Sequence, residues 1–392
     1  MRLSERIIGL TGGGSDGWDV FRKARQMVSD GYDVIELTIG EHDRRTEPEI
    51  LRAMYDAARG GHTGYAALPG TDDLRAAIAE RVESRTGVTT RLENVVITPG
   101  GQSALFAAHT AVCDPGDKAL FIDPFYATYP GTIRGAGAVA KAVIARAEEN
   151  FQPAAADISA VANDAKSMLI NSPNNPTGVV YTERTMEGIA EVAQRQDLWI
   201  VSDEVYDTQV WDGSHFSPRQ IPGMEDRTLV IGSLSKSHAM TGSRLGWLVG
   251  PVEAMEHVEN LSTHTTYGVP GFIQDAGLFA LRQGSVLEDK ISEPFRRRHA
   301  VAKALFARRG IRVVPSVASM YLMLDVRAAG LSGEDFAYRL LEESKIAVMP
   351  GESFGQAAAG HLRVALTVED SRLVSACDTI CDLFDQLVAE AA

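Results

Sequence analysis

Five short apolar runs that do not alternate with polar residues constrain the fold of this chain more than any other feature. They are Val95-Val96-Ile97-Thr98, Ala119-Leu120-Phe121-Ile122, Ser167-Met168-Leu169-Ile170, Leu198-Trp199-Ile200-Val201 and Thr228-Leu229-Val230-Ile231. A strand with one wet face alternates with period two, so an unbroken run reads as a strand buried on both faces. That is the condition of a mainly parallel sheet sandwiched by helices. Helical patterns stand between the runs: Thr71 to Arg85 predicts a helix with Thr71 as its cap, and Thr182 opens another through Arg184 to Arg195. The class is α/β.

Beyond about residue 270 the pattern changes. A long charged helical stretch through Glu288, Arg296, Arg297 and Arg298 leads to Arg309-Gly310. The strand-like Ser319 to Leu324, a helix near Glu334 to Glu343, the run Gly360 to Leu366 and a terminal helix then make a smaller α+β lobe. The 392 residues suffice for two domains or for one domain with a lobe. A formal net charge of -14 argues against a nucleic-acid surface, which needs basic groups to replace phosphate counterions. Ile7 to Leu10 is too short for a signal peptide and no apolar stretch approaches a membrane span, so a cytoplasmic location with no membrane partner is expected. Three cysteines fit a reducing compartment. Cys377 and Cys381 stand four apart on a helix with no histidine to complete a site, and read as buried thiols rather than metal ligands. Gly12-Gly13-Gly14 lacks the lysine and hydroxyl of a phosphate loop and reads as a flexible N-terminal segment.

Ser233-Leu234-Ser235-Lys236, with Arg244 eight residues past the lysine, sets an amine among hydroxyls beside a candidate phosphate ligand. That suits the imine chemistry of pyridoxal phosphate. Such an enzyme needs a lysine, an anion cradle, an acid beside the pyridine nitrogen and a clamp for the substrate carboxylate. Pro99-Gly100-Gly101-Gln102 joins a strand to the helical run Ser103 to Val112, where glycines and helix amides can approach an anion. By itself it is also an ordinary strand-to-helix turn. Asp203 ends a buried strand, where open α/β sheets bind ligands, and Tyr206 follows three residues later. In isolation such an aspartate is as often a cap or turn residue.

The order of motifs resembles the class I/II aminotransferases, pyridoxal phosphate enzymes of fold type I. The likeness runs through Ile39-Gly40-Glu41, Tyr65 before Pro69-Gly70, Gly100-Gly101-Gln102, Pro124-Phe125-Tyr126, Asn175-Pro176-Thr177-Gly178, Asp203 to Tyr206, Ser233 to Arg244, and Leu362-Arg363. Ser233 to Gly242, Tyr267-Gly268 and Phe272 to Ala276 are most similar to arginine-pyruvate transaminases. The resemblance implies a mainly parallel seven-stranded sheet in a large cofactor-binding domain over 46–284. It also implies a small domain over 15–45 and 285–392, and an N-terminal segment over 1–14.

Lys236 would form the aldimine and move the proton, Asp203 would pair with the ring nitrogen, and Tyr206 with Asn175 would hold the phenolic oxygen. Tyr126 would stack on the ring. Gly101, Gln102, Ser233, Ser235 and Arg244 would hold the phosphate, and Tyr65 would reach the phosphate in a neighbouring subunit, which implies a homodimer with shared sites. Arg363, aided by Asn175 and Gly40, would clamp the substrate's α-carboxylate. An ordinary lysine of pKa about 10.4 would be only about 0.04% neutral at pH 7, so Lys236 must be tuned.

Two segments depart from the family: Gly40-Glu41-His42-Asp43-Arg44 stands for Gly-Glu-Pro-Asp-Phe, and Ala318-Ser319-Met320-Tyr321 for Gly-Ala-Phe-Tyr. His42, Arg44 and Arg45 are read as a solvated loop outside the pocket. The donor is then expected to be neutral or basic, with pyruvate or 2-oxoglutarate as acceptor. Competing readings are an aspartate or dicarboxylate aminotransferase, a pyridoxal phosphate-dependent C–S β-lyase, and a non-catalytic cofactor sensor. The sensor would need an added DNA-binding module, and strand and helix motifs begin by about residue 34.

Overall fold

The structure is a computed structural model that describes residues 1–14 and 17–391. Ser15, where the small domain is expected to begin, lies outside the described residues. Twelve strands follow along them: β1 (Ile35–Leu37), β2 (Val95–Thr98), β3 (Lys118–Asp123), β4 (Val139–Ile144), β5 (Ala165–Asn171), β6 (Trp199–Asp203), β7 (Thr228–Ser233), β8 (Gly246–Val249), β9 (Arg312–Val313), β10 (Tyr321–Asp325), β11 (Ile346–Pro350) and β12 (His361–Ala365). All five sequence runs are strands of one seven-stranded sheet, ordered β2-β8-β7-β6-β5-β3-β4. Neighbours from β7 to β4 run parallel, and β8 is antiparallel to both β2 and β7. The architecture is that of fold type I.

The unbroken apolar runs have a direct cause in the layers. Leu120, Met168 and Ile200 pack against one helical layer that includes Met186 and Ile189 of helix Glu183–Gln196. Their sequence neighbours Phe121, Leu169 and Val201 pack against Leu105 and Ala108 of helix Gly101–Val112 on the opposite face. Both faces need apolar side chains, so no alternation survives. Only β4, at the sheet edge, leaves Val139 and Ile144 partly exposed.

The second sheet is ordered β1-β11-β12-β10-β9, with β1 parallel to β11 and the other pairs antiparallel. An N-terminal strand thus pairs with a C-terminal one. Helix Gly284–Arg308 and helix Asp370–Ala391 carry core residues of this lobe, among them Phe295, Cys377 and Cys381. Both of these thiols are fully buried, which pushes them up to about 12.

One local expectation needs amendment. Thr182 caps its helix through its side chain, but Thr71 does not cap helix Asp72–Thr86. The Thr71 N–H instead donates to Gln274 Oε1 at 2.8 Å, because Gln274 is held in place by its own bond to the Val269 carbonyl. The segment ahead of the glycine run contains the short helix Glu5–Ile8, and the Leu10 carbonyl accepts from Arg134 Nη1 at 3.0 Å. No helix among the described residues is long and apolar enough to cross a membrane.

Candidate active site

Strands β5, β6 and β7 end in Asn171, Asp203 and Ser233, at the sheet edge where parallel α/β sheets bind ligands. These three wall a cavity of about 300 Å³ that Tyr321 and Arg363 of the small sheet close from the other side. Gly40, Gly101, Gln102, Tyr126, Asn175, Asp203, Tyr206, Ser233, Ser235, Lys236, Arg244 and Arg363 all line it. Tyr65 does not. It is 89% exposed, with its ring edge-on to Tyr267 at 5.0 Å.

Lys236 sits on the short turn of helix Leu234–Ser237 that follows β7 directly. Ser233 caps that turn, its Oγ accepting the Ser235 N–H at 3.1 Å, which aims both hydroxyls and the lysine into one cavity. Lys236 Nζ donates to the Gly40 carbonyl. Burial lowers its pKa, helped by the cations Arg363 and Arg244 and opposed by Tyr321 and Glu41. The shift runs in the direction that an amine base requires.

Asp203 is buried in the cavity wall. Tyr129 Oη donates to its Oδ2 at 2.7 Å and the Val205 N–H approaches its Oδ1 at 3.3 Å. Burial nevertheless lifts the carboxyl to about 6, because no cationic side chain among the described residues forms a salt bridge with it. A protonated ring nitrogen would supply the missing charge. Asn171 fixes the surrounding backbone: its Nδ2 donates to the Asp203 carbonyl at 2.9 Å and its Oδ1 accepts the Asn175 N–H at 2.8 Å.

Arg363, at the centre of β12, is 1% exposed. Its Nη1 donates to Asn175 Oδ1 at 2.8 Å and its Nη2 to the Thr38 carbonyl, while Nε has no partner. The guanidinium lies between the rings of Tyr321 and Phe354, 4.5 and 4.4 Å from their centroids. A buried cation without a counter-charge is costly, and burial lowers its pKa. The site is short of one anion.

A second anion cradle lies at the start of helix Gly101–Val112. Its cap Gly100 has φ +78, and a Cβ there would stand 2.4 Å from Arg244 Nη2. Glycine lets Arg244 come beside the helix amides, which attract anions through the helix dipole. Lysine, cradle, buried acid and buried clamp together fit pyridoxal phosphate.

Sequence reasoning missed two tyrosines and an asparagine. Tyr129 and Asn171 flank Asp203 from positions 74 and 32 residues away, which no local pattern reveals. Tyr321, met only as part of a family departure, places its hydroxyl 2.9 Å from that of Tyr206. It also explains Gly40, where a Cβ would fall 1.7 Å from Tyr321 Oη.

The expectation for His42 is corrected. Arg44 and Arg45 are exposed, but His42 is half-buried, its imidazole edge-on against Phe295 at 5.0 Å and both ring nitrogens shut off from water. Burial, reinforced by Lys236, drives it down to about 3. The ring fills space on helix Gly284–Arg308 as an apolar group would.

A family model described as aminotransferase class I and II matches residues 32–380. An arginine–pyruvate transaminase of Pseudomonas aeruginosa is 38% identical over the whole of both chains. An aspartate/prephenate aminotransferase of Thermus thermophilus is 32% identical over 91% of this chain and 92% of its own. The solved structure of the Thermus thermophilus aspartate aminotransferase with maleate superposes with a TM-score of 0.91 at 32% identity, over 98% of this chain and all of that one. The buried acid, lysine and arginine thus stand in a chain that belongs to the class I and II aminotransferases, pyridoxal phosphate enzymes that move an amino group from an amino acid to a 2-oxo acid.

Proposed function

We propose that Lys236, Asp203 and Arg363 carry the reaction and that the donor has a neutral or basic side chain, with pyruvate or 2-oxoglutarate as acceptor. One observation supports this above the rest: Arg363 and Lys236 converge on the Thr38–Gly40 backbone, so a carboxylate clamp and an amine base share one end of a single cavity. When bound, pyridoxal phosphate supplies a conjugated sink for the electrons of the broken α-carbon bond. Arg363 binds the α-carboxylate as a planar fork, with Asn175 Oδ1 already fixing one of its arms. Lys236 Nζ takes the α-proton, since burial leaves more of it neutral. Asp203 would pair with the ring nitrogen of the bound cofactor, Tyr206 and Asn175 would hold its phenolic oxygen, and Tyr126 would stack on its ring. Gly101, Gln102, Ser233, Ser235 and Arg244 would hold its phosphate.

The donor reading rests on charge. Lys236, Arg244 and Arg363 are the cations lining the cavity among the described residues, and each has a role already. Arg44 and Arg45 point to solvent, and Glu41, which accepts from Thr241 Oγ1 at 2.9 Å, adds a carboxylate to the wall. An acidic donor side chain would meet no partner there, and unmatched charge in a partly desolvated site costs several kcal/mol. The full-length relative at 38% identity, named for arginine and pyruvate, agrees with this direction. The test is kcat/KM for arginine, alanine, methionine and aspartate at fixed pyruvate. Arginine or a neutral donor should lead, and aspartate ahead by tenfold would overturn the reading.

We also infer a cytoplasmic homodimer with a small domain over 15–45 and 285–392 and a large one over 46–284. The pairing of β1 with β11 supports the division, and the buried free cysteines agree with a reducing compartment. The exposed pair Tyr65 and Tyr267, and an apolar groove of about 920 Å³ that shares Trp18 and Gln102 with the cavity, support a second copy seated beside the site.

A further inference from the structure

The backbone from Thr38 to Asp43 carries no catalytic side chain, yet every residue of it is held. Arg363 Nη2 donates to the Thr38 carbonyl, Thr367 Oγ1 to the Ile39 carbonyl at 3.0 Å, Lys236 Nζ to the Gly40 carbonyl and Thr241 Oγ1 to Glu41 at 2.9 Å. The last two residues dock on one face of helix Gly284–Arg308, three positions apart: His42 on Phe295, and Asp43 on Arg298.

Arg298 is the unusual member. Its side chain is only 4% exposed, and it grips Asp43 with both arms, Nη1 to Oδ1 at 3.0 Å and Nη2 to Oδ2 at 2.7 Å. The same guanidinium donates to the Leu366 carbonyl at 3.1 Å and through Nε to Asp370 at 2.7 Å. Leu366 lies three residues beyond Arg363 on the same run of chain. One buried fork therefore ties the far end of the Gly40 loop to the extension of the strand that bears the carboxylate clamp.

We propose that Arg298 is a positioning residue for substrate binding: through Asp43 and Leu366 it sets the separation between the Gly40 amide and the Arg363 guanidinium. This rests on the assignment of Gly40 and Arg363 to the α-carboxylate. Donor and acceptor share that carboxylate, so loosening the tie weakens both. Asp203 ends β6 and Lys236 is anchored on the turn that follows β7, so among the described residues the bond from Lys236 Nζ to the Gly40 carbonyl is the one their side chains make to the loop and turnover at saturation suffers less than binding. Binding without turnover suffers equally, because the carboxylate is all that an unreactive ligand offers.

The two carboxylates on Arg298 provide the control. Asp43 is on the substrate loop and Asp370 opens the terminal helix, where Arg297 also holds it at 2.7 Å. In the holoenzyme, Asp43→Ala should raise KM for donor and acceptor about tenfold or more while kcat falls no more than about threefold, the pattern of lost uniform binding. Asp43→Asn, which keeps one acceptor oxygen, should recover part of the loss. The dissociation constant of propionate, read from the bound cofactor's visible absorption, should rise in step with KM. Asp370→Ala, matched for loss of thermal stability, should leave KM and propionate binding within about twofold of wild type. Equal rises in the two variants, or no rise with Asp43→Ala, would overturn the proposal. Arg363→Lys separates it from its premise: if that variant leaves KM for both substrates unchanged, the carboxylate site itself is misassigned, whereas a raised KM there with a silent Asp43→Ala rejects the tie alone.

Discussion

Lys236 and Arg363 are cations that the fold buries without a matching anion, and Asp203 is an anion buried without a cation. Left as they are these groups destabilise the chain, and together they describe a ligand with a carboxylate at one end and a protonated nitrogen at the other. Lys236→Ala removes the amine proposed to move the α-proton. Transamination should fall by at least about a thousandfold, since general-base catalysis alone contributes about 10² to 10⁴. A variant retaining a tenth of the wild-type rate would refute the assignment. For Asp203 the sign of the pH effect is set by its carboxyl, which burial lifts to about 6. Protonated, it cannot pair with a ring cation, so cofactor affinity should weaken as pH falls through about 6. Asp203→Asn should weaken affinity above that pH and remove the carboxylate's part of the profile, as a cofactor titration from pH 5 to 8 can measure.

At the scale of elements, the junction of β2 with helix Gly101–Val112 shows how backbone geometry makes a binding site. Gly100 lies at φ +78 and ψ 170, a region that residues with a Cβ avoid, and Arg244 fills the space a Cβ would take. Gly100→Ala should cost about 1–3 kcal/mol of stability, and should weaken cofactor binding by displacing Arg244. Denaturant unfolding with and without cofactor would check both, and an unchanged midpoint would show that the turn tolerates the methyl. The glycine pair, the strand before it and the helix after it were all legible in the sequence, because steric limits and apolar periodicity act over a few residues. Strand β11 was not picked out, although Ile346 to Pro350 is a fully buried run. Strand β1 has only three residues, and its partner lies 311 positions further along the chain at Ile346. Local patterning cannot supply that pairing.

For the whole molecule, buried histidines set the acid limit. His42 and His238 are driven down to about 3, and His109 and His299 to about 4, chiefly by burial. Each takes up a proton on unfolding below pH 6.5, so its contribution to stability is present above that pH and lost as pH falls towards the folded value. Asp123 and Asp203, both lifted to about 6 by burial, act oppositely between pH 4 and 6 because they release a proton on unfolding. The histidines outnumber them. The cofactor-free protein should lose on the order of 3 kcal/mol per pH unit near pH 5, and a melting temperature that held steady from pH 7 to pH 5 would contradict this. Site sharing is tested at the same scale. Mixing Tyr65→Phe with Lys236→Ala subunits should yield heterodimers with one site carrying both changes and one carrying neither, so wild-type cofactor affinity should return at half the sites. Heterodimers that formed without that recovery would count against a shared site.

By itself the sequence determined the parallel sheet, the strand-end position of Asp203, the Ser-Leu-Ser-Lys turn and the glycine cradle. Each is decided by neighbours within a few residues, through sterics, capping and two-sided burial. Only the tertiary structure decided which charges lose their water. His42 was read as solvated because polar groups replace the proline and phenylalanine usual in that segment, yet Phe295, on a helix some 250 residues further along, covers its ring, while Arg44 and Arg45 two and three residues on stay wet. Tyr129 on Asp203, Tyr321 over Gly40 and Arg298 on Asp43 are of the same kind. Desolvation and pairing depend on what comes together in space, and strands and helices far apart in the chain bring it there.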